Sequence, residues 1–517
     1  MGRDYLMSIN CIIQPRIDHV SICIMNFLKG FLLVFISLFV TQNLSFGAVE
    51  SDRKPNIIFI LADDLGYGDV QCLNPKRGKI KTPHLDMLAS QGMTFTDSHS
   101  GSSVCTPTRY GLLTGRYAWR TRLQNGVFDG YVPPLIAADR LTLPLLLKQN
   151  GYQTACIGKW HLGFTIVGAD KSGYAPNQNN LKIKWTGAPI GAVTRDGPLS
   201  RGFDTFFGFH HARMMRSVFD GDRVSEFIDP VEMLPALVKR SCDFISSQAD
   251  ASKPFFLYLP LGSPHDPIVP SKDWLGKSGL GTYADFVMQT DAAVGELLQA
   301  LDRSGIANNT LVFFSSDNGC AAGAGIEKLA SQGHFVSGDY RGSKSDIWDG
   351  GHRVPFLVRW PSKVKPASQS KQLVCLTDFM ATCAEILSVK LPDGAAEDSV
   401  SFLSSLLSRD TILPRSAVVH HSNNGKFAIR DGNWKLDFCS GSGGWSAPTD
   451  GDATKLSLPL LQLYDLENDV GETKNLQDIH PEVVDRMKSL IQKIITNGRS
   501  TPGVNQSNDV EVNFRMK

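Results

Sequence analysis

An α/β fold is predicted for this chain: a large mixed, mostly parallel sheet sandwiched by helices, followed by a small C-terminal antiparallel sheet with a packed helix. Three observations carry that reading. Short β-branched or aromatic runs recur through the first two thirds of the sequence, apolar at consecutive positions, as strands buried on both faces require. Segments with one apolar helical stripe lie between them, the alternation that covers a sheet on both sides. The runs end in polar residues, and in such sheets ligands collect at the carboxyl ends of the strands.

The elements follow in order. Residues 56–62 form a strand ending in Asp63-Asp64. Residues 84–91 form a helix stopped by Gly92, and 141–149 a second, ended at Gly151. The strand 154–157 runs into Gly158-Lys159-Trp160-His161. The strand 255–259 leads to Pro264-His265-Asp266. The helix 291–302 places Val294, Leu297, Leu298 and Leu301 on one face and stops near Gly305. The strand 311–314 ends in Ser315-Ser316-Asp317-Asn318-Gly319. The stretch 165–204, rich in Gly, Asn, Pro and Lys, reads as a long surface insertion. Pro, Gly and Glu near 388–398 mark a boundary. Beyond it come strand pieces at 417–419, 427–430, 434–436 and 462–466, then an amphipathic helix at 481–496. The expected division is a leader at 1–47, a main domain at 52–395 and a C-terminal α+β piece at 396–505.

Composition narrows the function classes. With 42% hydrophobic and 20% charged residues the chain is an ordinary globular mix. A net charge of +1 argues against a nucleic-acid footprint or a polybasic membrane surface. Lys29, the apolar run 31–40 and the small residues Ser45 and Gly47 read as a secretory signal peptide, with translation starting at Met1, Met7 or Met25. The run is too short for a stable membrane span. Export permits disulfides. Cys11 and Cys23 leave with the leader, and Cys105 stands apart. The remaining Cys72, Cys156, Cys242, Cys320, Cys375, Cys383 and Cys439 are odd in number and scattered, so mostly buried thiols with at most one or two bridges are expected. Walker A, Gly-x-Ser-x-Gly and His-Glu-x-x-His motifs are missing from the sequence.

The chemistry concentrates in a few short stretches. Cys105-Thr106-Pro107-Thr108-Arg109 runs into a helix expected from Tyr110, with Pro107 suited to its first turn. A helix start presents free N–H groups and partial positive charge, so Cys105 and Arg109 read as a nucleophile beside an anion site. An isolated cysteine is commonly apolar filler, and only the spacing argues otherwise. Asp63-Asp64 and Asp317-Asn318 offer four oxygen donors of the kind that suit calcium or magnesium, although either pair alone is also turn chemistry. Lys159 is a point charge for an anionic oxygen, and His161 and His265 are proton carriers near neutral pH.

Cys-x-Pro-Thr-Arg followed by Leu112-Leu113-Thr114-Gly115-Arg116 resembles the signature of the type I sulfatases of the alkaline phosphatase superfamily. Gly158–Gly163, the His265 block and Gly342–Pro355 are similar to further family blocks, with Trp348-Asp349 in place of the usual Tyr-Glu. The run 114–120 resembles the branch holding arylsulfatase A and the galactosamine-6-sulfatases. The resemblance implies an alkaline-phosphatase-like fold and sulfate ester hydrolysis. It implies one calcium on Asp63, Asp64, Asp317 and Asn318, with residue 105 completing the shell. It implies that Cys105 is oxidised to formylglycine by a formylglycine-generating or anaerobic sulfatase-maturating enzyme. In the implied mechanism, Arg109 and the metal orient the hydrated aldehyde, Asp317 helps to deprotonate it, and the resulting oxygen attacks sulfur. Lys159 and Lys344 neutralise sulfuryl charge. His265 protonates the departing alcohol, and His161 acts as base when the aldehyde is regenerated. Candidate substrate residues lie in loops: His211 and Arg213, His421, and Trp445 as a stacking platform. The expected substrate is a sulfated carbohydrate or aryl sulfate, and the expected location periplasmic, extracellular or lysosomal. Two rival readings are a phosphomonoester, phosphodiester or phosphonate hydrolase of the same superfamily and a non-catalytic sulfated-glycan-binding protein.

Overall fold

The strand Asn56–Asp63 shows how the fold is built, because its side chains divide alternately between two cores. Ile58, Ile60 and Ala62 enter one, and Ile57, Phe59 and Leu61 the other, the period-2 consequence of burial on both faces. In this computed structural model, which describes residues 53–167, 187–409, 415 and 417–514, that strand is central to a 12-stranded sheet. Thr310–Ser316, Asn56–Asp63, Phe255–Pro264, Gln153–Lys159 and Thr205–Phe209 are consecutive and mutually parallel. The parallel character is concentrated there. Phe356–Arg359 on one side and Ser217–Asp220 on the other pair antiparallel with this block.

Helices cover both faces. Pro83–Ser90, Pro230–Ser247 and Thr282–Arg303 bury Leu88, Leu237 and Val294 in the first core. Cys105–Thr114, Leu143–Gln149 and Phe379–Ile386 bury Leu112, Leu147 and Phe379 in the second. The helix around 291–302 is longer than its apolar stripe suggests. It begins at Thr282, where Tyr283, Phe286 and Val287 extend the buried face.

One expectation is corrected at the site itself. The helix begins at Cys105, not near Tyr110. A proline is tolerated throughout the first turn, where no intrahelical N–H is needed, so Pro107 does not mark a boundary. The Thr108 hydroxyl closes the turn by donating to the Ser102 and Val104 carbonyls.

Part of the expected insertion at 165–204 joins the sheet edge, through Ile166–Val167 and Val193–Thr194; residues 168–186 lie outside the described residues, as does the expected leader. Val418–His421, Phe427–Asp431, Trp434–Asp437 and Gln462–Asp465 make a separate antiparallel meander. The helix Pro481–Thr496 packs on it through Val484, Met487, Ile491 and Ile494. Residues ahead of this sheet belong to the main core, where Phe402, Leu403 and Leu406 are buried. All eight cysteines among the described residues are unpaired thiols, and no described helix is long and apolar enough to cross a membrane.

Candidate active site

Register brings the polar strand ends to one place. Asp63 lies level with Pro264, Ala62 with Ser316, and Lys159 with Phe209. The backbone turns sharply just past these points. Asp64 (φ 64°), His161 (φ 55°) and Ser345 (φ 82°), the neighbour of Lys344, adopt left-handed conformations without being glycine. Such conformations cost about 1–3 kcal/mol and persist where surrounding contacts over-determine them.

The side chains interlock as acid–cation pairs. Lys159 Nζ lies 2.6 Å from Asp63 Oδ2. Lys344 Nζ lies 2.7 Å from Asp64 Oδ1. Arg109 donates to Asp317 Oδ2 through Nε at 3.2 Å and a terminal nitrogen at 2.7 Å, and stands 3.4 Å from Asp63 Oδ1. Asn318 Nδ2 donates to Asp64 Oδ1 at 2.7 Å, and the Asp64 N–H to Asp317 Oδ1 at 3.2 Å. His265 Nε2 is 3.6 Å from Asp64 Oδ2. Cys105, at the helix N-terminus, shares a ligand-sized cluster with Asp63 and Asp317; Asp63, Asp64 and His265 form another.

The electrostatics are those of a crowded, dry site. Burial raises the Asp317 carboxyl to about 7, reinforced by the neighbouring Asp63 charge and opposed by Arg109. Burial would raise Asp63 too, but Lys159, His265, Arg109 and Lys344 hold it well below the usual carboxylate range. Two carboxylates this close repel one another, and a divalent cation relieves that repulsion. The fit of such an ion rests on two further atoms: Asn318 Oδ1 is a buried acceptor without a hydrogen-bond partner, and Asp63 Oδ1 has none beyond its 3.4 Å ion-pair contact with Arg109. Buried acceptors left unpaired are rare and call for a ligand. Burial also pushes the Cys105 thiol up, against Lys159 and Lys344, so the encoded side chain is a protonated and poorly nucleophilic thiol.

His161 is fully buried. Its Nε2 meets the Phe128 carbonyl at 2.8 Å, and its Nδ1 has no hydrogen-bond partner. Burial, then Lys159, depresses its pKa and keeps the ring neutral; with Nε2–H donating, Nδ1 carries the lone pair.

A family model described as Sulfatase matches residues 55–389, more than half of the chain. The chain belongs to the sulfatase family. This sulfatase is 33% identical over 499 residues to the N-acetylgalactosamine-6-O-sulfatase of Bacteroides thetaiotaomicron, covering 86% of this chain and 94% of that one. It is 32% identical to bovine (Bos taurus) arylsulfatase A, over 84% of this chain and 87% of the other. A solved structure from work on the metabolism of multiple glycosaminoglycans by Bacteroides thetaiotaomicron superimposes with a TM-score of 0.73 at 30% identity, covering 86% of this chain and 99% of that one. The phosphonate monoester hydrolase SpPMH from Silicibacter pomeroyi shares the fold at a TM-score of 0.58 and 17% identity, over 86% of this chain and 96% of that one. The architecture of the sulfatase is thus alkaline-phosphatase-like.

The substrate candidates separate. The His211 ring lies 4.6 Å from that of His161, and its Nδ1 accepts the Arg213 N–H at 3.0 Å. The Arg213 side chain is half exposed, 3.9 Å from Asp129. Trp445 is 53% exposed; its N–H is anchored on Asp346 at 3.0 Å, beside the Lys344 loop. His421 is a correction. It is buried with Nε2 on the Gln124 carbonyl at 2.8 Å, and its own carbonyl accepts the Ser103 N–H and the Ser102 hydroxyl. Its ring faces protein and braces the loop leading into Cys105. Asp129 was not among the sequence candidates. It follows Phe128, whose N–H meets the Thr106 hydroxyl at 3.2 Å, which puts it beside the Cys105 helix.

A second polar cluster supports the same loop. His99 Nδ1 and His352 Nδ1 are 3.0 Å apart, His99 Nε2 pairs with Asp97 at 2.9 Å, and His420 Nδ1 lies 3.2 Å from the Ser100 carbonyl. His352 and His420 stack face to face, 3.8 Å apart and 11° from parallel. A metal lies in the plane of each imidazole that binds it, so two stacked rings do not aim at one ion. These histidines tie the Cys105 loop to the C-terminal sheet.

Buried neutral histidines oppose folding at acid pH. His210, with neither ring nitrogen hydrogen-bonded, is lowered to about 3 by burial and then by Lys159. Its unfolded value is about 6.5. Its contribution is therefore fully present above pH 6.5 and lost as pH falls toward 3, because the unfolded chain takes up a proton that the native site refuses. Buried acids work the other way, as with Asp437 and Glu472, raised by burial to about 7 and about 8. A difference between two chains isolates the histidine. The His210→Phe variant is expected to gain roughly 3 kcal/mol relative to wild type between pH 7.5 and pH 4. Urea midpoints at four pH values check this, and a pH-independent difference would sink it.

Proposed function

We propose that this sulfatase hydrolyses a sulfate ester on a carbohydrate, with residue 105 working as formylglycine and calcium held by Asp63, Asp64, Asp317 and Asn318. The observation that carries the reading is the convergence, at the end of the parallel strands, of a helix-start cysteine, three carboxylates, one amide and three cationic side chains, with two acceptor oxygens left over. When bound, calcium supplies positive charge toward the sulfuryl oxygens, and the hydrated aldehyde supplies a hydroxyl as nucleophile.

The chain's own residues do the rest. Arg109, fixed by Asp317 and by the Lys159 carbonyl at 3.2 Å, holds the base of the site. Lys159 and Lys344 bind sulfuryl oxygens and neutralise charge gained on the way to the transition state. His265, with its side chain 13% exposed beside Asp64, is the group nearest solvent and donates a proton to the departing alcohol. His161, neutral and fixed through Nε2, accepts a proton at Nδ1.

The carbohydrate assignment draws on the relatives named as N-acetylgalactosamine-6-sulfatases and on the rim. Arg213 and Asp129 supply a donor and an acceptor for hydroxyl groups, and Trp445 supplies an apolar face for a sugar ring. Trp445→Ala is expected to raise KM for a sulfated glycan about tenfold while leaving kcat/KM for a small aryl sulfate within about twofold. Equal losses on both substrates would remove Trp445 from the rim. The deciding test of function pairs a peptide mass measurement on residue 105 with a desulfation screen on glycans. An aldehyde mass and sulfate release are expected. A preference for phosphate or phosphonate esters by orders of magnitude would replace this reading with the rival hydrolase, and an unmodified thiol without turnover would favour a binding protein. Export and a maturating enzyme as partner belong to the same proposal.

A further inference from the structure

Asp64 is the most constrained residue of the site. It is non-glycine at φ 64°, its carboxylate meets Lys344 and Asn318, and its N–H is spent on Asp317. Its carbonyl faces away from these partners toward a buried chain. Tyr283 Oη lies 3.2 Å from that carbonyl and 2.5 Å from Asp69 Oδ2. The Gly66 N–H also reaches Asp69 Oδ2, at 2.8 Å. The other Asp69 oxygen meets His334 Nε2 at 2.7 Å. The tautomer of His334 is fixed, because its Nδ1 accepts the Lys79 N–H at 3.0 Å and Nε2 must carry the proton. Asp69 and His334 are fully buried and Tyr283 nearly so.

We infer that His334, Asp69 and Tyr283 are positioning residues that hold the Asp64 peptide in its left-handed turn and thereby set the Asp64 carboxylate for the cation. This inference rests on the calcium reading above. Its physical basis is the cost of the turn. A non-glycine left-handed residue is unfavourable by about 1–2 kcal/mol, and the short strand-end loop must offset that from outside itself. Asp69 does so twice. It anchors the Gly66 N–H two residues after Asp64, and it orients the Tyr283 hydroxyl, whose single proton is shared unequally between Asp69 Oδ2 at 2.5 Å and the Asp64 carbonyl at 3.2 Å. Glycine makes the approach possible: a Cβ on Gly66 would stand 2.2 Å from the Val336 carbonyl, and one on Gly68 2.2 Å from that of Phe335. The segment around His334 thus packs directly on the Asp64–Asp69 turn. The same segment continues toward Lys344, since the Ser337 hydroxyl donates to the Gly342 carbonyl at 2.9 Å.

The test is calcium titration of the full chain by calorimetry, with ester turnover measured alongside. Tyr283→Phe is expected to weaken calcium affinity about 10–100-fold, the usual effect of losing a group that orients a metal ligand, and to recover wild-type kcat once calcium saturates. His334→Gln keeps an N–H for Asp69 and is expected to stay near wild type, whereas His334→Leu is expected to behave like Tyr283→Phe. Asp64→Ala is the control. If it weakens calcium binding and Tyr283→Phe does not, the positioning chain is overturned and the calcium reading stands. If wild type binds no calcium, or Asp64→Ala binds it unchanged, both are overturned. Should Tyr283→Phe fail to fold, the His334→Leu and His334→Gln pair decides: equal affinities overturn the inference.

Discussion

Cys105→Ala is expected to lower kcat for a sulfate ester by about 10⁵-fold or more, the scale on which removal of a covalent nucleophile acts. The structure explains why nothing nearby substitutes. The Cys105 side chain sits at the start of a ten-residue helix whose every residue is buried, and it is the one sulfur in the cluster with Asp63 and Asp317. The anion-binding part of the site does not depend on it. Arg109 is fixed by Asp317, Lys159 by Asp63 and Lys344 by Asp64. Inorganic sulfate should therefore bind the variant within about threefold of wild type, because the cationic donors are unchanged. This split separates a lost nucleophile from a collapsed site. If turnover persists within tenfold of wild type, Cys105 is not the precursor of the working group. If sulfate binding vanishes together with turnover, the helix start has been disturbed and the variant says nothing specific about chemistry. A Cys105→Ser chain shown by mass to carry the unmodified alcohol then discriminates, since it preserves the small polar side chain without the aldehyde.

The parts of this site that were legible in the sequence were legible for one reason. Strands buried on both faces must be apolar throughout, so the first polar residues after each run mark a strand end, and parallel strands put those ends side by side. Asp63, Asp64, Lys159, His265 and Asp317 all follow from that rule. Arg109 was read instead from its place beside Cys105 at a helix start, and Lys344 was recognised only through resemblance. The flanking antiparallel strands were missed because pieces such as Val193–Thr194 and Ser217–Asp220 are set by their partners rather than by their own pattern. His421 was misread because a histidine in a polar stretch looks like a rim residue; only the pairing of Val418–His421 with Phe427–Asp431, and the hydrogen bond to Gln124, turn it inward. Asp69, Tyr283 and His334 belong to three distant segments. In sequence, Asp69 has the capping spacing to Gly66 and nothing more, while Tyr283 and His334 carry no local signal at all.

The second large effect follows from charge balance. Three carboxylates and three cationic side chains meet at the site, and each acid has one cation as its nearest charge: Asp63 with Lys159, Asp64 with Lys344, Asp317 with Arg109. A divalent cation uses the same carboxylate oxygens. It competes with the lysines and the arginine for those oxygens, and every donor it displaces is free to bind a sulfuryl oxygen. A divalent cation together with a sulfate dianion also leaves the net charge of the buried site unchanged, whereas either alone adds an uncompensated charge in a low dielectric. Cation and anion should therefore assist each other. Removing divalent cations with a chelator is expected to lower turnover about 10³-fold, several kcal/mol of lost charge stabilisation. It should also weaken inorganic sulfate binding at least about tenfold, and by linkage sulfate must tighten calcium binding by the same factor. Calorimetric titration of each ion in the presence and absence of the other measures the coupling directly. Lys344→Ala should reduce it, because Asp64 then has no ammonium to release and the anion one fewer donor to receive. Independent binding of the two ions would mean that the acid–cation pairs stay intact when the site is filled, and the sulfuryl oxygens would then be held by the backbone N–H groups at the Cys105 helix start instead.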